Sequence, residues 1–244
     1  MTDRGESASG PDAGKRGAHR AGDFASTTSF VFGRQVSFFD AVYGFAATLL
    51  ISNVDAPPAS AWRSLDALIA SGAGTQLVGF ILSFTVIVVL WRVNVRLTRR
   101  LRGLDGVTVV ANLVAAASVV LIAFTTQGVS DPASADLPLP TALYAANIAL
   151  AALCQSAFYQ VGRARGLERR STDARSNLWE LVGAAVTPVV FLISIPVAFS
   201  VGTTAAKLTW ASLLVLSPIA GTIALRAVER RAGGDPDADP DDDA

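Results

Sequence analysis

The sequence predicts an all-α polytopic membrane protein with six transmembrane helices and both termini in the cytoplasm. Three observations carry this reading. Hydrophobic residues make up 51% of the 244 positions and charged residues only 16%, against about a quarter charged in a soluble domain. The charges are gathered into short clusters between long apolar runs. Those clusters alternate along the chain between arginine-rich and nearly arginine-free, which orients the runs.

The six apolar runs cover residues 37–54, 75–95, 107–127, 140–161, 178–199 and 207–228. Each crosses about 30 Å of hydrocarbon as a helix rising about 1.5 Å per residue. The helix is obligatory, because lipid offers no partner for free backbone N–H and C=O groups. Six spans with short connections use up the chain and leave no room for a soluble catalytic domain.

Arg4, Lys15, Arg16, Arg20 and Arg34 precede the first run. Arg96, Arg99, Arg100 and Arg102 separate the second from the third, with Arg92 at the helix end. Arg163, Arg165, Arg169, Arg170 and Arg175 separate the fourth from the fifth. Arg230 and Arg231 follow the sixth, with Arg226 at its end. The other connections hold Arg63, no basic residue, and Lys207. Even-numbered connections are basic and odd ones are not, which places the termini inside.

Residues 1–26, rich in Gly, Ser, Ala and charge, are expected to be a disordered tail, residues 27–232 the membrane domain, and 233–244 an acidic disordered tail with six aspartates and two prolines. The first run lacks a signal peptide's cleavage pattern and is expected to be retained. Residues 61–72, AWRSLDALIASG, are amphipathic and too short to span. They read as an interfacial helix on the outer side, with Trp62 at headgroup depth. Pro188, Pro196 and Pro218 within the last two runs read as packing kinks.

Composition excludes several functions. One cysteine, Cys154, and one histidine, His19, cannot build a Cys/His zinc site or most nucleophilic triads. No catalytic residue, metal site or cofactor is expected, and the zero net charge gives no sign of a nucleic-acid partner. A small-solute carrier would need a polar midplane site; only Asn147 and Gln155 hint at one, and helix packing explains them equally well.

The first run carries an acid at its inner end, in Arg34-Gln-Val-Ser-Phe38-Phe39-Asp40. A carboxylate this close to hydrocarbon reaches headgroup water or needs a partner. Arg34 lies about 9 Å away along a helix and on another face, so Arg92 and Asn94 are the candidates. Phe38, Phe45 and Ser52 are spaced by seven and share a face with Thr48, which packing against lipid or another helix would explain. Trp91 reads as an interface anchor, and Asn112 as an interhelical hydrogen-bonding residue.

The order RxxxFxD, then SFx6WxxNxRL, then D-x6-N, from Arg34 to about Phe124, resembles the transmembrane protein 175 family of endosomal and lysosomal potassium channels and their prokaryotic homologues. The resemblance implies a homotetramer in a prokaryotic plasma membrane and a potassium-permeable leak pore lined by the first helix of each subunit. It implies a hydrophobic constriction at Phe45 in place of a TVGYG filter, with Thr48 and Ser52 along the path and Leu49 at its edge. Arg34, Phe38, Asp40, Trp91 and Asn94 would form the motif network that holds the pore helix. The family's usual residues are replaced by Phe39, Asn94, Ala123 and the larger Phe45. A non-conducting scaffold or partner subunit that keeps the fold is the alternative.

Overall fold

A computed structural model describes residues 25–26 and 30–213. The two expected tails and the sixth run beyond residue 213 therefore lie outside the described residues, except that residues 25–26 form a short strand, β1 (Ala25–Ser26). It is followed by α1 (Phe30–Leu49), α2 (Leu65–Ala70), α3 (Ala73–Arg99), β2 (Gly103–Leu104), α4 (Gly106–Ser130), α5 (Pro138–Ala164), α6 (Ala174–Ser200) and α7 (Thr203–Ala211). Five of these helices, α1 with its 3-10 extension and α3 to α6, are long and apolar enough to cross a membrane. The chain is thus a multi-pass helical membrane protein. The start of the sixth run falls in α7.

The observed helices outrun the expected spans by several residues, because hydropathy marks only the hydrocarbon-depth portion. Backbone hydrogen bonding continues into the headgroup layer, where polar and basic residues remain helical. The ends have local causes. Ser64 accepts from the Ala67 amide at the start of α2, and Asp105 and Asp173 do the same for Thr108 and Ser176 at the starts of α4 and α6. Pro138 opens α5 at a position whose amide would lack a helical partner. Gly72 joins α2 to α3 at φ 82°, and a Cβ there would also lie 2.7 Å from Pro132 Cγ.

Residues 61–72 fold as a 3-10 turn, Ala61–Arg63, followed by α2, which buries no residue. Trp62, Leu65 and Ile69 are left exposed, an apolar set suited to an interface and too short to span.

The bundle core joins Phe39, Tyr43, Ala46 and Leu50 of α1 and its extension to Ile87 and Leu90 of α3, Val119 and Ile122 of α4, and Tyr144 and Ile148 of α5. Phe191 of α6 and Trp210 of α7 close it through ring contacts with Tyr144 at 6.5 and 5.2 Å. Polar groups within the bundle meet in pairs and chains. The Gln155 amide donates to Tyr43 Oη (3.0 Å) and to the Leu90 carbonyl (2.9 Å), tying α5 to α1 and α3. The hydroxyls of Tyr144, Ser83 and Thr126 form a second chain at 3.0 and 2.8 Å. Gly79 lets α3 approach α4 so closely that a Cβ would fall 2.4 Å from Ser130 Cβ.

At the basic end, the two arginine-rich connections are knitted together. Leu101 pairs with Glu168 as an antiparallel bridge, the Arg102 amide donates to the Leu167 carbonyl, and the Arg169 amide donates to that of Arg100. β1 pairs antiparallel with β2, Ala25 opposite Leu104, so the chain entering α1 is tied to the same connection. Leu101, Leu104, Phe158, Tyr159 and Leu167 form a small second core beneath. Three arginines there are neutralised: Arg100 by Glu180 at 2.6 Å, Arg163 by Glu168 at 3.5 Å, and Arg165 by Asp105.

Asp105 combines cap and ion pair. Burial alone would raise its carboxyl, but hydrogen bonds from the Thr108 hydroxyl and amide, together with Arg165, outweigh this and hold it below the usual carboxylate range. A depressed folded value stabilises the fold above the unfolded pKa of about 3.9 and loses that contribution as pH falls through the folded value. Asp105→Asn keeps a capping oxygen and loses the charge. Thermal unfolding in detergent should show the wild type ahead of Asp105→Asn near neutral pH by up to about 1 kcal/mol. The gap should close as pH is lowered below about 4, and a gap unchanged at pH 3 would refute the assignment.

Candidate functional site

The rotation of α1 about its own axis is set by what it buries. Phe39, Tyr43, Ala46 and Leu50 recur at intervals of four, three and four and face the bundle. The opposite face is left bare. Arg34, Phe38, Ala41, Phe45, Thr48 and Ser52 are all exposed, with Phe45 at 65% and Phe38 at 54%. Their intervals run four, three, four, three, four. This is a heptad-like seam, the spacing left on the face opposite a stripe buried at four-three intervals, and it is open to lipid or to another helix. The seam runs for about 21 Å between Phe38 and Ser52.

The chemistry along the seam changes from end to end. Arg34 stands at the basic end, with its guanidinium over the Phe30 ring at 5.8 Å. An open groove of about 620 Å³, lined among others by Phe30, Arg34, Gln35 and Phe38, flanks it. Phe38 and Phe45 follow, then two hydroxyls. Thr48 Oγ1 donates to the Phe45 carbonyl at 2.8 Å, and Ser52 Oγ donates to that of Leu49 at 2.5 Å. Both hydroxyl protons are spent on the helix itself, so the oxygens present lone pairs on the bare face. That is the arrangement a cation accepts. Leu49 is half-buried against the core, at the edge of the seam.

Of the five motif residues, the structure brings two together. Trp91 Nε1 donates to Asp40 Oδ1 at 2.8 Å, a 51-residue separation that joins the basic end of α3 to α1. Trp91, 39% exposed, therefore holds the acid. Asn94 is directed elsewhere: its amide donates to Asn112 Oδ1 on α4 at 2.6 Å, and both residues are buried. Arg34 and Phe38 lie on the seam. The motif thus resolves into a surface latch, Asp40–Trp91, a buried amide pair, Asn94–Asn112, and seam positions.

Sequence reasoning passed over Ala41, which completes the heptad between Phe38 and Phe45; the four-three spacing was the signal that would have found it. It also missed the Tyr43–Gln155 bond across 112 residues, for which no local pattern exists. Asn147 and Gln155, which hinted at a midplane site in the fourth run, are both used in packing: Asn147 reaches Thr125 Oγ1 at 3.3 Å.

If the latch positions α1, its loss should be measurable. Trp91→Phe keeps the ring and removes the donor, and is expected to lower stability in detergent by about 1 kcal/mol. Asp40→Asn, which keeps an acceptor oxygen, should cost less than Asp40→Ala. Equal effects for the two Asp40 variants would remove the latch from the account.

Residues 34–122, from the motif arginine through most of α4, match the family model of the endosomal/lysosomal potassium channel TMEM175. The resemblance expected from Arg34 onward is borne out over this interval. The fold is similar to the crystal structure of a lysosomal potassium-selective channel TMEM175 homolog from Chamaesiphon minutus. The TM-score is 0.58 at 19% identity, and the likeness covers 81% of this chain and 98% of that one. No curated protein matches the sequence.

Proposed function

We propose that the chain is a potassium-permeable leak channel of the TMEM175 type, in which four copies of α1 surround a central pore. The observation that carries this is the bare heptad seam from Arg34 to Ser52, set opposite the face that α1 buries. Four such seams around one axis place Phe38 and Phe45 rings inward as apolar constrictions. The hydroxyl oxygens of Thr48 and Ser52 line the wider part. A ring of aromatic side chains gates by dewetting, and a chain without a TVGYG motif draws its cation preference from constriction and hydroxyl oxygens instead of a carbonyl cage.

In this reading the basic end faces the cytoplasm, as the arginine distribution requires, and so do both termini. Asp40, held by Trp91, anchors the inner half of the pore helix. Permeation is driven by the membrane potential, about 2.3 kcal/mol per unit charge per 100 mV. The arginines of the described spans gather at helix ends, as Arg92, Arg96 and Arg99 do in α3, so conduction is expected to vary weakly with voltage.

Potassium flux from liposomes loaded with the purified protein tests the proposal. Phe45→Ala should raise the flux severalfold by widening the constriction, with potassium passing faster than sodium. A wild type that matches empty liposomes while Phe45→Ala conducts would make the native protein a sealed, non-conducting relative on the same fold. If neither conducts, the pore is not lined by this seam.

A further inference from the structure

We propose that the outward face of α3 is a binding site for an anionic phospholipid, with the headgroup phosphate held by Arg92, Arg96 and Arg99. These arginines follow one another at intervals of four and three, so they stand in one stripe. The stripe is opposite the one α3 buries, which passes through Ile87, Leu90, Asn94 and Thr98. All three are exposed. Among the described residues none of the three is ion-paired, whereas Arg100, Arg163 and Arg165 at the same end each have a carboxylate.

The same face continues toward the other end of α3 as a mainly apolar strip, in which the one hydroxyl between Ile81 and Val89, that of Thr85, is spent on the Ile81 carbonyl. Ile81 and Val89, 55% and 53% exposed, lie on it in line with the arginines. From Ile81 to Arg92 is about 16 Å along the helix, close to half of a hydrocarbon core about 30 Å thick. One face thus offers an acyl chain a single leaflet's depth of apolar contact and ends in three guanidinium groups at headgroup level. Guanidinium groups bind phosphate oxygens in paired, directional hydrogen bonds. Charge argues for lipid over a second copy of the stripe, since two such stripes would set six like charges together. Arg92 also adjoins Trp91, so an occupied site sits next to the Asp40 latch.

Lipid retention by the full-length protein, released from detergent and weighed by native mass spectrometry, tests this without reference to conduction. Phosphatidylglycerol and phosphatidylcholine with matched acyl chains serve as probes, at equal concentration. The wild type should retain phosphatidylglycerol preferentially. The Arg92→Gln/Arg96→Gln/Arg99→Gln variant should lose the preference by up to about a hundredfold, at roughly fivefold per arginine, and the triple lysine variant should keep part of it. Arg102→Gln/Arg170→Gln/Arg175→Gln, which removes three exposed arginines off the stripe, should retain it. Equal loss in both glutamine variants would reduce the effect to general basicity and overturn the site. So would a wild type without preference, or displacement of the lipid by excess glycerol phosphate, since the apolar strip would then contribute nothing.

Discussion

The rotational setting of α1 is the constraint on which the rest of the structure depends. Within a bilayer the hydrophobic effect cannot choose which face of an apolar helix turns inward, because lipid is as apolar as the neighbouring helices. The choice falls to packing and to the few polar groups. In α1 these are Tyr43, 2% exposed and bonded to Gln155, and Asp40, held by Trp91. Interhelical hydrogen bonds of this kind average about 0.6 kcal/mol, and their directionality matters more than that energy. Phe39 and Leu50 add the shape complementarity that turns one rotation into the only well-packed one. Once this face is committed, Phe38, Phe45, Thr48 and Ser52 are left on the outside of the helix bundle.

The two ends of the bundle are organised by different physics. The basic end is closed by backbone pairing between connections, by a small apolar core around Phe158 and Leu167, and by ion pairs at its surface. Exposed pairs of this type contribute about 0–1 kcal/mol each, so their role is to fix register between the two connections and to neutralise three arginines there. The other end is closed by close approach: Gly79 against Ser130, Gly72 against Pro132, and a reciprocal pair in which the Asp55 amide donates to Gln76 Oε1 while the Gln76 amide donates to the Asp55 carboxylate, both at 3.0 Å. Gln76 is buried, so its amide must be paired.

Five of the spans and the short helical stretch after Trp62 were legible in the sequence, because each depends on local composition. A run of about 20 apolar residues can only be a helix in lipid. The motif residues were legible as a set but not as contacts. Asn94 was grouped with Asp40 by nearness in sequence depth, yet it lies on the buried face of α3 beside Thr98 and meets Asn112, while Trp91, some way around the helix, meets the acid. Which side of α3 faces α1 and which faces α4 is a property of how the helices cross, and no spacing within α3 encodes it.

By itself the sequence determined that the chain crosses a membrane as helices, roughly which segments those helices occupy, and which connections carry the positive charge. Each of these follows from the cost of placing polar backbone or charge in hydrocarbon, a cost that acts residue by residue. Only the tertiary structure decided that Tyr43 finds Gln155, that Asp40 finds Trp91 and not Asn94, and that Phe45 stands outside the helix bundle. Those outcomes depend on the relative rotation of helices whose surfaces are all apolar. Rotation is settled by long-range pairing between segments far apart in the chain.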